Sequence, residues 1–105
     1  MAAKRSYRSR LQIAADIIEI ALNGSRKTRI MYHGNLSFDL LQKYLDMLLN
    51  FGLIEAQNGD RRSYIATTKG REFLDDFNEL MKYSQLADTK RRELERSLAL
   101  PPEIP

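Results

Sequence analysis

The side chains in this chain best suited to chemistry are cationic, and they come in clusters. Arg26, Lys27 and Arg29 stand almost side by side, Arg61 and Arg62 are adjacent, and Lys4, Arg5, Arg8 and Arg10 crowd the N-terminus. Guanidinium and ammonium groups at that density favour oxyanions, through charge-assisted hydrogen bonds to phosphate or carboxylate oxygens. Gln42 and Lys43 add a second capability: a carboxamide pairs bidentately with an adenine edge, and an ammonium meets guanine acceptors or a phosphate. Ser37 is a good helix cap, and the helix N-terminus it opens is a place to meet a phosphate. Other chemistries are missing. Cysteine is absent and His33 is the single histidine. That composition excludes disulfides, thiolate catalysis, the common zinc sites and multi-histidine metal centres. No phosphate-cradling glycine loop and no nucleophile with a neighbouring base is found, so the expectation is a non-enzyme without a cofactor.

The chain that must position these groups has 105 residues, 43% hydrophobic and 30% charged, the balance of one soluble globular domain. Its net charge of +3 is unevenly spread. Residues 1–71 hold 12 basic and 6 acidic side chains, a net +6, whereas residues 72–105 hold 5 and 8, a net −3. An N-terminal body with that surplus suggests an anionic partner, nucleic acid first in line; surface charge kept for solubility is the plainer reading. No apolar run approaches the roughly 20 residues of a membrane span, and the basic N-terminus lacks the apolar stretch of a signal peptide. Both point to a cytoplasmic protein with no membrane partner.

Periodicity lays out the elements. Leu11, Ala14, Ile18, Ala21 and Leu22 recur at helical spacing up to Asn23-Gly24, a typical helix stop. Ser25 to Thr28 reads as a basic turn, and a short helix spans roughly Thr28 to His33, ending at Gly34-Asn35. A third helix runs from Phe38 to about Asn50, with Phe38, Leu41, Leu45, Leu48 and Leu49 on its apolar face, Tyr44 packed at its edge, and Phe51-Gly52 closing it. Tyr32 is open between packing and a phosphate contact. Two strands follow, 53–57 and 63–67, around Asn58-Gly59, a strong hairpin signal because both positions of a type I′ turn need positive φ. Asp60-Arg61-Arg62 is expected to complete the tip. Thr68 then caps a helix that meets no proline until Pro101. Helix, helix, helix, strand, turn, strand, long helix is the order of a winged helix-turn-helix with an added C-terminal helix. The expected division is a winged body with a basic arm at 1–67, a long dimerisation helix at 68–98 and a proline-rich tail at 99–105.

Lys27-Thr28-Arg29-Ile30-Met31-Tyr32, Asn35-Leu36-Ser37, Gln42-Lys43-Tyr44-Leu45, Gly52-Leu53-Ile54 and a Thr-x-Lys-Gly ending at Gly70 carry a resemblance. The chain is similar to the small archaeal winged-helix DNA-binding proteins, including the ten-kilodalton chromatin proteins of crenarchaea, over roughly residues 8 to 98. The resemblance implies a mainly α fold with a small β-hairpin. It also implies a last helix paired with its twin as an antiparallel coiled coil, and double-stranded DNA as the partner of a chromatin component or transcription regulator.

In such a fold the third helix enters the major groove. Its outward face here carries Asp39, Lys43, Asp46 and Asn50, flanked by Gln42. Carboxylates beside phosphates repel, so this helix is a mediocre base reader, and weakly selective binding is favoured. Arg26, Lys27 and Arg29 around helix two and Arg61 and Arg62 at the wing are the stronger candidates, with Ser37, Gln42 and Lys43. The wing pair is favoured as a DNA contact because a hairpin tip needs no arginine to fold. The N-terminal arm stands level between contact and solvated charge, and Lys69 and Arg71 read as decoration of the last helix.

Phe73, Phe77, Leu80, Ser84, Ala87, Arg91, Leu94 and Leu98 alternate by four and three, a heptad seam interrupted at Ser84 and Arg91. The front of that helix either packs on its own body or joins the seam. A free helix with Leu86, Leu94 and Leu98 exposed is marginal in water, which favours a partner. Residues 72–84 carry a net −3 and residues 85–98 a net +1, so antiparallel pairing sets acid against base. The rival class is a winged-helix interaction scaffold that binds protein and not DNA, a reading to which the carboxylates of helix three lend support.

Overall fold

The computed structural model describes residues 8–98. Lys4 and Arg5 of the expected arm, and the tail at 99–105, lie outside the described residues. The elements are α1 (Arg10–Ile20), β1 (Ser25–Arg26), α2 (Lys27–Gly34), α3 (Phe38–Asn50), β2 (Ile54–Gln57), β3 (Asp60–Ala66) and α4 (Thr68–Ser97). The fold is mainly helical with a small antiparallel sheet of order β1-β3-β2.

Local signals set the helix ends. The Ser9 hydroxyl accepts from the Gln12 amide at 3.1 Å and that of Ser37 from the Leu40 amide at 3.2 Å, each satisfying an orphan donor of the first turn. Asn35 ends α2 in the left-handed region at φ 55°. Asn58 and Gly59, at φ 53° and 75°, form the two-residue turn between β2 and β3. The cap of α4 is Thr67, not Thr68. Its hydroxyl accepts from the Gly70 amide at 3.0 Å and donates to the Gly52 carbonyl at 2.6 Å, so the cap also fastens α4 to the end of α3.

The core gathers Ile13, Ala14, Ile17 and Ile18 of α1, Ile30 of α2, Leu41, Tyr44, Leu45 and Leu48 of α3, Ile54, Tyr64 and Ala66 of the sheet, and Leu74 and Phe77 of α4. Burying about a dozen aliphatic and aromatic side chains at roughly 1.5–3 kcal/mol each is what offsets the ordering of so short a chain.

Several boundaries differ from expectation. The basic turn at 25–28 is a strand followed by the start of α2: Ser25 pairs with Tyr64 and Arg26 with Ser63. A two-residue strand has no periodicity of its own and exists because β3 offers it a partner. Arg61 and Arg62 lie within β3 beyond the tip, because only Asn58 and Gly59 are needed to turn the chain. Phe38, expected on the apolar face of α3, is 59% exposed. As the first residue of α3 it lies past the edge of the core. Phe77 is buried in the chain's own core and Phe73 packs against it, so the exposed apolar stripe of α4 begins at Leu80. From Asn78 onward α4 runs away from the body almost wholly exposed, and the longest principal extent of the molecule is 59 Å against 31 and 19 Å across.

Candidate nucleic-acid interface

The outward face of α3 is tied to the start of α2 by a short polar chain. The Lys27 ammonium donates to the Gln42 Oε1, and the Gln42 Nε2 donates to Asp46 Oδ1 at 3.1 Å. The same ammonium sits 4.9 Å from the centroid of the Phe38 ring, within cation–π range, which explains how an exposed phenylalanine is held at the head of this helix. Gln42 is therefore engaged at both ends of its amide and half-buried. Lys43 is exposed one position on, and it shares a concavity of about 310 Å³ with Arg10, Leu40, Tyr44 and Met47. The tyrosine ring packs there as expected, whereas Tyr32 on α2 is 77% exposed.

The wing arginines owe their positions to an irregular register. Ala56 pairs with Tyr64 and Gln57 with Asp60, so residues 61–63 of β3 bulge against β2. Asp60 Oδ1 accepts from the Arg62 amide at 2.9 Å, and the Tyr64 hydroxyl donates to the Arg61 carbonyl at 2.6 Å. Those two bonds fix the backbone of the bulge and leave both guanidinium groups exposed, the kind of re-aiming that bulges provide. Burial pushes the Tyr64 phenol above the ordinary tyrosine range; Arg61 pulls against it, and Asp46 and Asp60 add to it. Tyr64, beside the bulge, thus feels the Asp46 carboxylate of α3.

The remaining cations divide into free and engaged. Arg26 and Arg29 are exposed and lie with His33 along one cleft. Arg8 is not available as an arm: it pairs with Asp16 at 2.9 Å and donates to the Asn35 carbonyl at 3.0 Å, clamping the N-terminal segment onto α1 and the end of α2. Lys69 donates to the Phe51 carbonyl at 2.8 Å and Arg71 to the Leu22 carbonyl at 3.0 Å, so both hold α4 to the body. Along the rear of α4, Lys90, Arg91 and Arg92 each pair with a carboxylate one turn away. Among the described residues no group of acidic side chains or histidine could hold a metal ion, and no helix is long and apolar enough to cross a membrane.

Two helices meeting across the Asn35–Ser37 turn, a third helix beneath them and a hairpin at their side define a winged helix-turn-helix protein. The chain belongs to the winged helix-turn-helix family, whose sequence model matches residues 7–85. An uncharacterized Methanocaldococcus jannaschii protein, MJ0287, is 30% identical over 80 residues, 75% of this chain and 79% of that one. Among solved structures, Sso10a-2, a DNA-binding protein from Sulfolobus solfataricus, superposes with a TM-score of 0.75 at 25% identity, covering 90% of this chain and all of that one. Lactococcus lactis ZitR superposes at 0.52 with 18% identity, over 94% of this chain and 78% of that one, a likeness of fold.

Proposed function

We propose that this chain is a homodimeric double-stranded DNA-binding protein of low sequence selectivity, acting as a chromatin component or transcription regulator. The observation that carries the reading is the contrast in charge pairing. Among the described residues, Arg10, Arg26, Arg29, Lys43, Arg61 and Arg62 have no carboxylate partner, while Lys90, Arg91 and Arg92 at the rear of α4 are paired within their own helix. Unneutralised cations around a helix-turn-helix and its wing are what a phosphate backbone requires. The kinship with Sso10a-2 supports the same partner. Low selectivity follows from α3: Asp39 and Asp46 face outward, and the Gln42 amide is bonded to Lys27 and Asp46, so base reading needs that chain opened first. Contacts to phosphate then dominate, and these position without specifying.

The dimer is proposed through α4, antiparallel. Leu80, Tyr83, Ala87, Leu94 and Leu98 fall within about 60° of one another at 3.6 residues per turn, and the four large ones are each at least half exposed. A projecting helix with such a stripe gains most by covering it with a twin. The two winged bodies then lie at opposite ends of the rod, each with its own DNA segment. Non-enzymatic, cofactor-free binding in the cytoplasm completes the proposal.

Titrating generic duplex DNA across salt concentrations tests the reading. A binder that neutralises several phosphates loses affinity with a slope of about 0.9 per phosphate in a double-logarithmic plot. Absence of binding at low salt transfers the protein to the interaction-scaffold class.

A further inference from the structure

Between the second half of α1, β1 and α2 lies an open cleft of about 600 Å³, of which the DNA-binding reading uses only Arg26 and Arg29. Its cationic side is formed by Arg26 and Arg29, with the His33 ring one helical turn from Arg29 on α2. Neither guanidinium bonds to any acceptor among the described residues. Arg26 is also the N-cap of α2 and gives it no side-chain cap, so the first amides of that helix lack the usual oxygen. Ile20 and Leu22 supply an apolar wall, and Glu19 stands on the same side. At the base lies Ser25, which is 6% exposed and whose Oγ is buried without a hydrogen-bond partner. A hydroxyl in that state is costly unless something binds it.

We propose that this cleft binds a small organic anion, a carboxylate or phosphate group on an apolar body. The anionic head is held by Arg26, Arg29 and the uncapped start of α2, with the Ser25 hydroxyl as a further partner, and the body lies on Ile20 and Leu22. The volume matches small-molecule sites, which combine apolar walls with a few convergent polar groups. Gln57 borders the opening, and its amide lies so close to Gly24, the neighbour of Ser25, that a Cβ there would fall 2.6 Å from Oε1. A guanidinium that grips the ligand has fewer donors left for a DNA phosphate. Occupancy therefore weakens DNA binding, a consequence that rests on the DNA-binding reading, whereas the site itself does not.

Calorimetric titration of the full chain without DNA tests the site, with phenyl phosphate, benzoate and inorganic phosphate as probes. Saturable one-to-one binding of phenyl phosphate or benzoate is expected, and the tighter of the two assigns the head group. Arg29→Ala, an exposed position, weakens it about tenfold, the loss of one charge-assisted bond. Glu19→Gln tightens it roughly threefold by removing a like charge. Ser25→Ala weakens it while thermal unfolding shows the fold retained, and Lys82→Ala, which lowers the charge elsewhere, leaves it unchanged. No saturable binding of either organic anion overturns the proposal. So does a loss in Lys82→Ala equal to that in Arg29→Ala, or inorganic phosphate binding as tightly as phenyl phosphate. A DNA competition run afterwards separates the two readings: ligand binding with no DNA binding at low salt retains the site and removes the DNA-binding function.

Discussion

The carbonyl oxygen of Leu53 lies 2.0 Å from the point that a Cβ on Gly70 would occupy. The first turn of α4 is thus pressed onto the strand entrance so closely that only glycine fits, and the Thr67 amide donates to that same carbonyl at 3.1 Å. Because the blocking atom is backbone, relief requires α4 to shift. Gly70→Ala is expected to lower unfolding free energy by about 1–3 kcal/mol or more, as overpacking does, read from urea denaturation midpoints. Gly59→Ala, in open space but at φ 75°, carries only the smaller cost of backbone strain.

The relocated helix cap separates two adjacent threonines. Thr67→Ala loses the bond to the Gly70 amide and the bond to the Gly52 carbonyl, and about 1–2 kcal/mol of stability is expected to go with them. Thr68→Ala, at an exposed helical position, is expected within about 0.5 kcal/mol of the parent. Equal losses in thermal melts of the two variants would restore Thr68 as the cap.

For DNA, the paired variants Arg61→Ala with Arg62→Ala and Arg26→Ala with Arg29→Ala are each expected to lower affinity uniformly across sequences. The slope of log affinity against log salt should fall by roughly 0.9 for each phosphate that is no longer neutralised. Asp46→Asn removes a carboxylate from the outward face of α3, with affinity expected to rise. Fluorescence anisotropy on duplexes of unrelated sequence reads all three, and a loss confined to one sequence would contradict backbone-dominated binding.

The orientation of the α4 pair is open to disulfide trapping because the chain has no cysteine of its own. With the two-fold axis near Ala87, Leu80→Cys on one copy faces Leu94→Cys on the other in an antiparallel coil. Mixed samples should then cross-link under mild oxidation while neither variant alone does so efficiently; ready homodimer cross-links in Leu80→Cys indicate a parallel pair. Leu80→Glu with Leu94→Glu is expected to give a monomer by sedimentation equilibrium.

Tyr64 makes stability fall at high pH. Its phenol titrates above the ordinary value because burial disfavours the phenolate, with Arg61 opposing and Asp46 and Asp60 adding to the rise. Unfolded tyrosine ionises near pH 10. Above that pH the native state binds the extra proton, so stability is full below the unfolded pKa and is lost as pH rises toward the folded one. Urea midpoints measured at about pH 8 and about pH 10.5 should drop more for the parent than for Tyr64→Phe.

What the amino-acid order fixed was local. Helical spacing in 11–22 and 38–50, the Ser37 cap, the Asn35 and Gly52 stops and the Asn58-Gly59 turn each depend on a few neighbouring residues, and the element order followed from them. The positive surplus of residues 1–71 was equally legible, since charge is counted without knowing geometry. Which cations remain free was decided by partners distant in sequence: Arg8 to Asn35, Lys69 to Phe51, Arg71 to Leu22 and Lys27 to Gln42. The same holds for β1, which depends on β3, for Phe77, whose heptad spacing suits a partner helix as well as its own core, and for the partnerless hydroxyl of Ser25. A side chain's type states what it can bond, but the acceptor that claims it is brought within reach only when the chain closes on itself.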